Sequence, residues 1–211
     1  RPNIREFDFI VVGSGVAGLF TALHLNSHGT VAVLTKDTLT ESNTQYAQGG
    51  IAVALREDDD PRDHERDTLE AGAGLCEPEA VRALTSEGPD AVRELMRLGM
   101  RFDRSAGELL YGQEAAHSRR RILHASGDET GYEVERTLSR RASVTPGIEI
   151  FDHTLMTDLL VVEGRCLGVD ALALPQCERL RFVAPVTILS TGGLGQVFAV
   201  TTNPSVTTGD G

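Results

Sequence analysis

Gly13-Ser14-Gly15-Val16-Ala17-Gly18 fits the pattern G-x-G-x-x-G, and its surroundings give the pattern structural meaning. Residues 7–12 before it form a short apolar, β-branched run, the composition of a buried parallel strand. After it, Val16, Leu19, Phe20 and Leu23 recur at the spacing of one helix face. They predict a helix over residues 16–26, with Gly29 placed to end it. Val31–Leu34 reads as a second strand, completing a βαβ unit of mononucleotide-binding size. The first glycine permits a tight turn, the second lets the backbone meet a pyrophosphate, and the third lets helix and strand approach closely. The helix N-terminus then offers free N–H groups and a positive dipole end to phosphates. An acid commonly follows the second strand to bind ribose hydroxyls, but Lys36 stands near that place. The fingerprint alone therefore leaves NAD and FAD open.

The rest of the chain alternates strand and helix signals and implies an α/β fold: a Rossmann-like domain with a parallel sheet. Residues 79–85 and 90–98 read as two helices, with Val92, Leu95 and Met96 on one face of the second and Gly99 as its terminator. Residues 57–67 are acidic and polar and read as an exposed connection. Residues 104–126 look irregular, and 133–142 can be helical. Strands are expected at 148–151, 154–162, 168–174 and 186–189, with Gly164 turning between two of them. No internal repeat is visible.

A net charge of −11 argues against a broad nucleic-acid surface, which needs clustered Lys and Arg. The one basic cluster, Arg119-Arg120-Arg121 between His117 and His124, is short and is assigned to the substrate side. The three cysteines, Cys76, Cys166 and Cys177, are irregularly spaced, suggest no disulfide framework and read as small, partly buried residues. No C-x-x-C occurs, so no zinc or iron–sulfur site is expected. No run approaches the ~18 apolar residues of a membrane span, and residues 1–7 lack the apolar core of a signal peptide. A reducing cytoplasm is the simplest address. The first residue is not Met, and the last three, Gly209-Asp210-Gly211, read as the middle of a motif, so a fragment of a longer enzyme is expected.

The segment after the βαβ unit chooses the nucleotide. Thr40-Glu41-Ser42-Asn43-Thr44-Gln45-Tyr46-Ala47-Gln48-Gly49-Gly50-Ile51-Ala52 closely resembles the flavin loop of the succinate dehydrogenase, fumarate reductase and L-aspartate oxidase flavoproteins. Within that family it is most similar to the L-aspartate oxidases. Three further segments match in the family's order: Asp67 to Cys76, Glu114 to Ala125, and Thr191-Gly192-Gly193 with Thr201 to Gly211. Lys36 is also what this family carries.

The resemblance implies FAD as cofactor. Ser14, Gly15, Val16 and Ala17 would contact the pyrophosphate, and Lys36 would lie by the ADP portion. Asn43 to Gly50 would wrap the flavin and ribityl chain, and Asp210 would bond the ribityl or pyrophosphate region. A histidine covalently bound to flavin stands in succinate dehydrogenases where Asn43 stands here, so the FAD is expected to be non-covalent. Glu114 would orient the substrate, its carboxylate pairing with an α-ammonium group. Ala115-Ala116 replaces the family's Gly-Gly beside it. The implied reaction is FAD-dependent oxidation of L-aspartate to iminoaspartate, with oxygen or fumarate as acceptor, toward quinolinate and NAD. Quinolinate synthase is a candidate partner; no nucleic acid, membrane or metal is expected. The alternatives are a fumarate reductase or succinate dehydrogenase-like flavoprotein, and a non-catalytic FAD-binding fragment. Residues 1–211 are expected to form the FAD-binding domain without the capping and C-terminal helical domains, and to be inactive alone.

Overall fold

The computed structural model describes residues 2–174 and 176–211. In chain order the elements are β1 (Asn3–Glu6), β2 (Phe9–Val12), α1 (Val16–Leu25), β3 (Val31–Leu34), β4 (Ile51–Ala52), α2 (Pro61–Ala71), α3 (Pro78–Leu98), β5 (Arg104–Ser105), β6 (Glu108–Leu109), β7 (Tyr111–Gly112), β8 (Ile122–Leu123), α4 (Thr130–Val144), β9 (Ile148–Phe151), β10 (Thr154–Val162), β11 (Arg165–Ala173), β12 (Glu178–Val183) and β13 (Val186–Leu189). They divide into two compact units. One comprises the residues up to Tyr46 with Val134–Gly211, the other Ala47–Glu133.

The first unit is built on a parallel sheet of order β13-β2-β3-β9. Its central strands, β2 and β3, are buried on both faces, which explains their unbroken apolar sequences. Ile10, Val12, Ala32 and Leu34 face a second sheet, of order β1-β12-β11-β10, and pack with its Val169, Ala171, Leu180 and Phe182. Val11 points the other way, toward α1 at Gly18, whose Leu19 and Ala22 are buried. Phe182 meets Phe151 edge-on, ring centroids 4.7 Å apart, and Phe7 closes the aromatic cluster.

β1 and β12 carry no strong strand signal. The Asn3–Glu6 strand is wholly exposed and pairs in parallel with β12 at the sheet edge. In β12 only Leu180 and Phe182 point inward; Arg181 instead pairs with its cross-strand partner Asp170 at 2.7 and 2.8 Å.

The second unit corrects two expectations. Residues 79–85 and 90–98 lie in one helix, α3, which runs through Gly88-Pro89. Val81, Thr85, Pro89, Val92 and Leu95 continue a single buried stripe across the proline, so packing overrides the break. Gly99 does end it, in the left-handed conformation at φ +112°. Residues 57–67 are not an exposed connection either. Asp60 caps α2 by accepting from the Arg62 N–H at 2.8 Å, and Pro61 opens the helix. His64 and Asp67 are buried, as is the side chain of Asp59, because Arg121 neutralises both carboxylates. Residues 104–126 hold a hairpin, β5–β6, and the strands β7 and β8, which form a small sheet with β4. Among the described residues no helix is long and apolar enough to cross a membrane, and no group of three potential metal ligands occurs.

Phe182 is fully buried between the two sheets of the first unit. Phe182→Ala should lower unfolding free energy by about 3–5 kcal/mol, read as a fall in the urea midpoint. A change under about 1 kcal/mol would contradict this account of the core.

Candidate cofactor site

Each glycine of the fingerprint has a separate steric reason. Gly13 follows β2 at φ +112°, and a Cβ there would sit 2.1 Å from the Ser190 carbonyl oxygen, where β13 ends. A Cβ on Gly18 would lie 1.9 Å from the Gly13 carbonyl oxygen, so only glycine allows α1 this close to the turn. Gly15 is in an ordinary extended conformation. A Cβ there would be 3.2 Å from Thr44 Oγ1 and 3.7 Å from Ser42 Cβ. The flavin-loop segment thus packs directly on the fingerprint. Thr44 Oγ1 also accepts from the Val16 N–H at 3.0 Å, capping α1 in trans.

Above this turn lies a cavity of about 380 Å³, in the size range of small-molecule clefts. Val12, Leu34 and Leu189 bring the carboxyl ends of β2, β3 and β13 to it, the usual ligand position in open α/β sheets. Thr154, Leu155 and Met156 of β10 supply another wall. Its polar lining joins distant segments. Ser14 Oγ donates to Thr35 Oγ1 at 3.0 Å, and Thr207 Oγ1 donates to Asn43 Oδ1 at 3.1 Å. Lys36 Nζ contacts both Thr208 and Asp210, and Thr208 donates to Asp210 at 2.7 Å. The Lys36 ammonium and then the Thr208 hydroxyl hold the Asp210 carboxyl below its usual range. Behind Ser42 lies Glu135 of α4, Oε2 at 2.6 Å from Ser42 Oγ. Glu135 is 1% exposed, and burial pushes its carboxyl up to about 7 against the opposing Ser42 hydrogen bond.

The structure brings Gly13, Ser14, Gly15, Val16, Ala17, Lys36, Asn43, Thr44 and Asp210 to this one cavity. Gly18 supports the turn from below. Gln45 and Tyr46 belong to the same unit outside the lining, and the Tyr46 hydroxyl donates to Glu41 at 2.9 Å. Ala47, Gln48, Gly49 and Gly50 belong to the other unit, as does Glu114. There Gly50 is pressed against Ile122 and Leu123, and the Ala47 carbonyl accepts from the Gly131 N–H at 3.0 Å. Glu114 is exposed, its carbonyl accepting from the His117 N–H at 3.0 Å. Ala115 and Ala116 do not adopt positive φ, so alanine in place of glycine strains nothing. Ser42, Thr207, Thr208 and Glu135 escaped the sequence reading. The first three lie inside quoted motifs, whereas Glu135 sits in a helix with no local signal.

Within the basic cluster, Arg121 is fully buried. Its guanidinium holds Asp59 in a fork at 2.8 and 2.9 Å and Asp67 at 2.6 Å. Asp67 also accepts from the Ser118 N–H and hydroxyl. Burial opposes its ionisation, but the Ser118 and Arg121 hydrogen bonds prevail and hold it at about 2. The ionised form is therefore favoured by folding. That contribution is complete above the ordinary aspartate range and is lost as pH falls through about 2. Asp67→Asn should lower the melting temperature at neutral pH and flatten the acid limb of the stability profile; an acid limb as steep as the parent's would contradict this assignment.

The fingerprint end of the cavity suits an anionic dinucleotide: a Cβ-free approach at Gly15, the N-terminus of α1, and the Lys36 ammonium. Because Gly15 has φ −69°, Gly15→Ala adds no backbone strain. The variant should stay folded yet bind FAD about ten-fold more weakly, ~1.4 kcal/mol, by flavin-fluorescence titration. Unchanged affinity would place the pyrophosphate elsewhere.

Comparison with known proteins agrees with this geometry. The chain is 50% identical to L-aspartate oxidase of Streptomyces coelicolor over 97% of its length, covering 36% of that protein. It is 46% identical to the chloroplastic L-aspartate oxidase 2-b of Nicotiana tabacum over 98% of its length, covering 33% of that protein. It thus spans about a third of the length of the curated relatives it matches. Among solved structures it superposes on a mutant of the E. coli quinol fumarate reductase FrdA with a TM-score of 0.91 at 27% identity, over 99% of this chain and 36% of that one. The model of the FAD binding domain matches residues 8–211. The chain belongs to the FAD binding domain family, and FAD is its cofactor.

Proposed function

We propose that the cavity at the ends of β2, β3 and β13 holds FAD without a covalent bond, and that the protein containing this chain oxidises L-aspartate to iminoaspartate. The observation that carries the substrate is the identity of 46–50% to L-aspartate oxidases, well above the 27% to a fumarate reductase of the same fold. Asn43 supports the non-covalent bond: its amide lines the cavity, tied to Thr207, and cannot be alkylated by flavin as an imidazole can. When bound, FAD supplies the two-electron acceptor for the substrate hydride, and oxygen or fumarate then receives the electrons.

The chain's own contribution is cofactor binding and one substrate-orienting group. Glu114 would pair with the α-ammonium that distinguishes aspartate from succinate. Its segment is fixed by Ser118 and Arg121 on buried Asp67. The matched relatives extend well beyond the third covered here, and we assign the dicarboxylate clamps and the proton-transferring group to that remainder. Residues 1–211 are accordingly read as the FAD-binding domain, inactive alone. The product would feed quinolinate and NAD formation, with quinolinate synthase as the natural recipient. The three free cysteines suit a reducing compartment such as the cytoplasm.

Anaerobic titration of the purified intact protein tests the reading. L-aspartate should bleach the flavin absorbance, whereas D-aspartate and succinate should not, and denaturation should release the flavin. Bleaching by succinate, or flavin that stays with the denatured chain, would favour the succinate dehydrogenase-like alternative. Glu114→Gln should raise KM for L-aspartate about ten-fold, with a smaller effect on fumarate. Equal losses for both would remove Glu114 from ammonium recognition.

A further inference from the structure

We propose that Glu135 is kept as a neutral carboxylic acid so that Ser42 can donate its hydroxyl proton to the cofactor's pyrophosphate, which makes Glu135 a positioning residue for FAD binding. The inference rests on FAD occupying the cavity described above.

The geometry carries it. Glu135 is 1% exposed; Oε2 meets Ser42 Oγ at 2.6 Å, and Oε1 has no partner among the described residues. An ionised carboxylate there would offer several lone pairs, out of water, to a single donor, an arrangement costing several kcal/mol. Protonation removes that cost. The acid O–H then donates to Ser42 Oγ, and the serine's own proton is released to point elsewhere. Ser42 lines the cavity, with Oγ 3.9 Å from where a Cβ on Gly15 would stand. It is thus beside the glycine across which a pyrophosphate approaches.

Phosphate oxygens accept hydrogen bonds, so Ser42 contributes only as a donor. Were Glu135 ionised, it would accept the Ser42 hydroxyl hydrogen bond, turn the serine lone pairs toward the phosphates, and add a further negative charge behind them. Glu133 and Arg136 flank it on the same helix, and Lys36, Glu41 and Asp210 line the cavity wall. Burial and the Ser42 hydrogen bond, rather than any of these, set the carboxyl at about 7. A raised carboxyl contributes stability that is complete below the ordinary glutamate range and is lost as pH rises through about 7.

FAD titration of the intact apo-protein at pH ~6 and ~8.5, on either side of that value, is the test. Affinity of the parent should fall about ten-fold at the higher pH. Glu135→Gln, whose amide N–H can donate to Ser42 in either buffer, should match the parent at pH ~6 and lose the pH dependence. Ser42→Ala should bind about ten-fold more weakly at pH ~6 and also show little pH dependence. The infrared band of a protonated carboxyl should be present in the parent at pH ~6 and missing from Glu135→Gln. A Glu135→Gln variant with the parent's pH slope would overturn the proposal, as would parental affinity in Ser42→Ala or an unchanged carboxyl band. If the parent takes up no FAD at either pH, the cofactor reading fails with it.

Discussion

Gly18 lies so close to the carbonyl of Gly13 that a Cβ on it would come within 1.9 Å of that oxygen. Any side chain at Gly18 would occupy the space of that oxygen, and any side chain at Gly13 would collide with Ser190. These two absences let α1 lie against β2 and β3, and let β13 run beside β2 to the same depth. Three strands therefore end at one level, with a helix N-terminus aimed across them. Thr44 docks on that helix end, and through it the loop from Ser42 to Thr44 takes its place in the cavity wall. Lys36, Thr207 and Asp210 complete the wall from opposite ends of the sequence.

Buried charge is handled in two ways. In the Ala47–Glu133 unit, Arg121 sits between Asp59 and Asp67, and the hydrogen bonds from Ser118 and Arg121 keep Asp67 ionised despite burial. This arrangement anchors the segment that carries Glu114, a task for which an exposed ion pair would be too weak. Behind the cofactor cavity Glu135 has a single partner among the described residues, and burial pushes its carboxyl up to about 7. The first solution fixes a backbone path. The second leaves a proton whose location can be sensed by a ligand.

Local signals in the sequence were enough for the βαβ unit. Val31–Leu34 occurs as read, and α1 ends one residue short of its expected limit. The same holds for the left-handed Gly99 and for the fingerprint residues at the cavity. The misreadings have a common origin in partners far away in the chain. Residues 57–67 look solvated until Arg121 is placed beside Asp59 and Asp67. Gly88-Pro89 looks like a break until the buried stripe from Val81 to Leu95 is seen to cross it. β12 is half charged, and only its pairing with β11 makes it a strand. Glu135 lies 93 positions from Ser42, with no spacing rule to connect them.

FAD is assigned to the cavity at the strand ends, its pyrophosphate over Gly15 and the α1 N-terminus. A crystal structure of the intact protein with FAD tests this most directly. Phosphate oxygens should lie within hydrogen-bond reach of the backbone N–H groups at the start of α1 and of Ser42 Oγ, with no bond between flavin and Asn43. Flavin density outside this cavity, or phosphates remote from the α1 N-terminus, would contradict it.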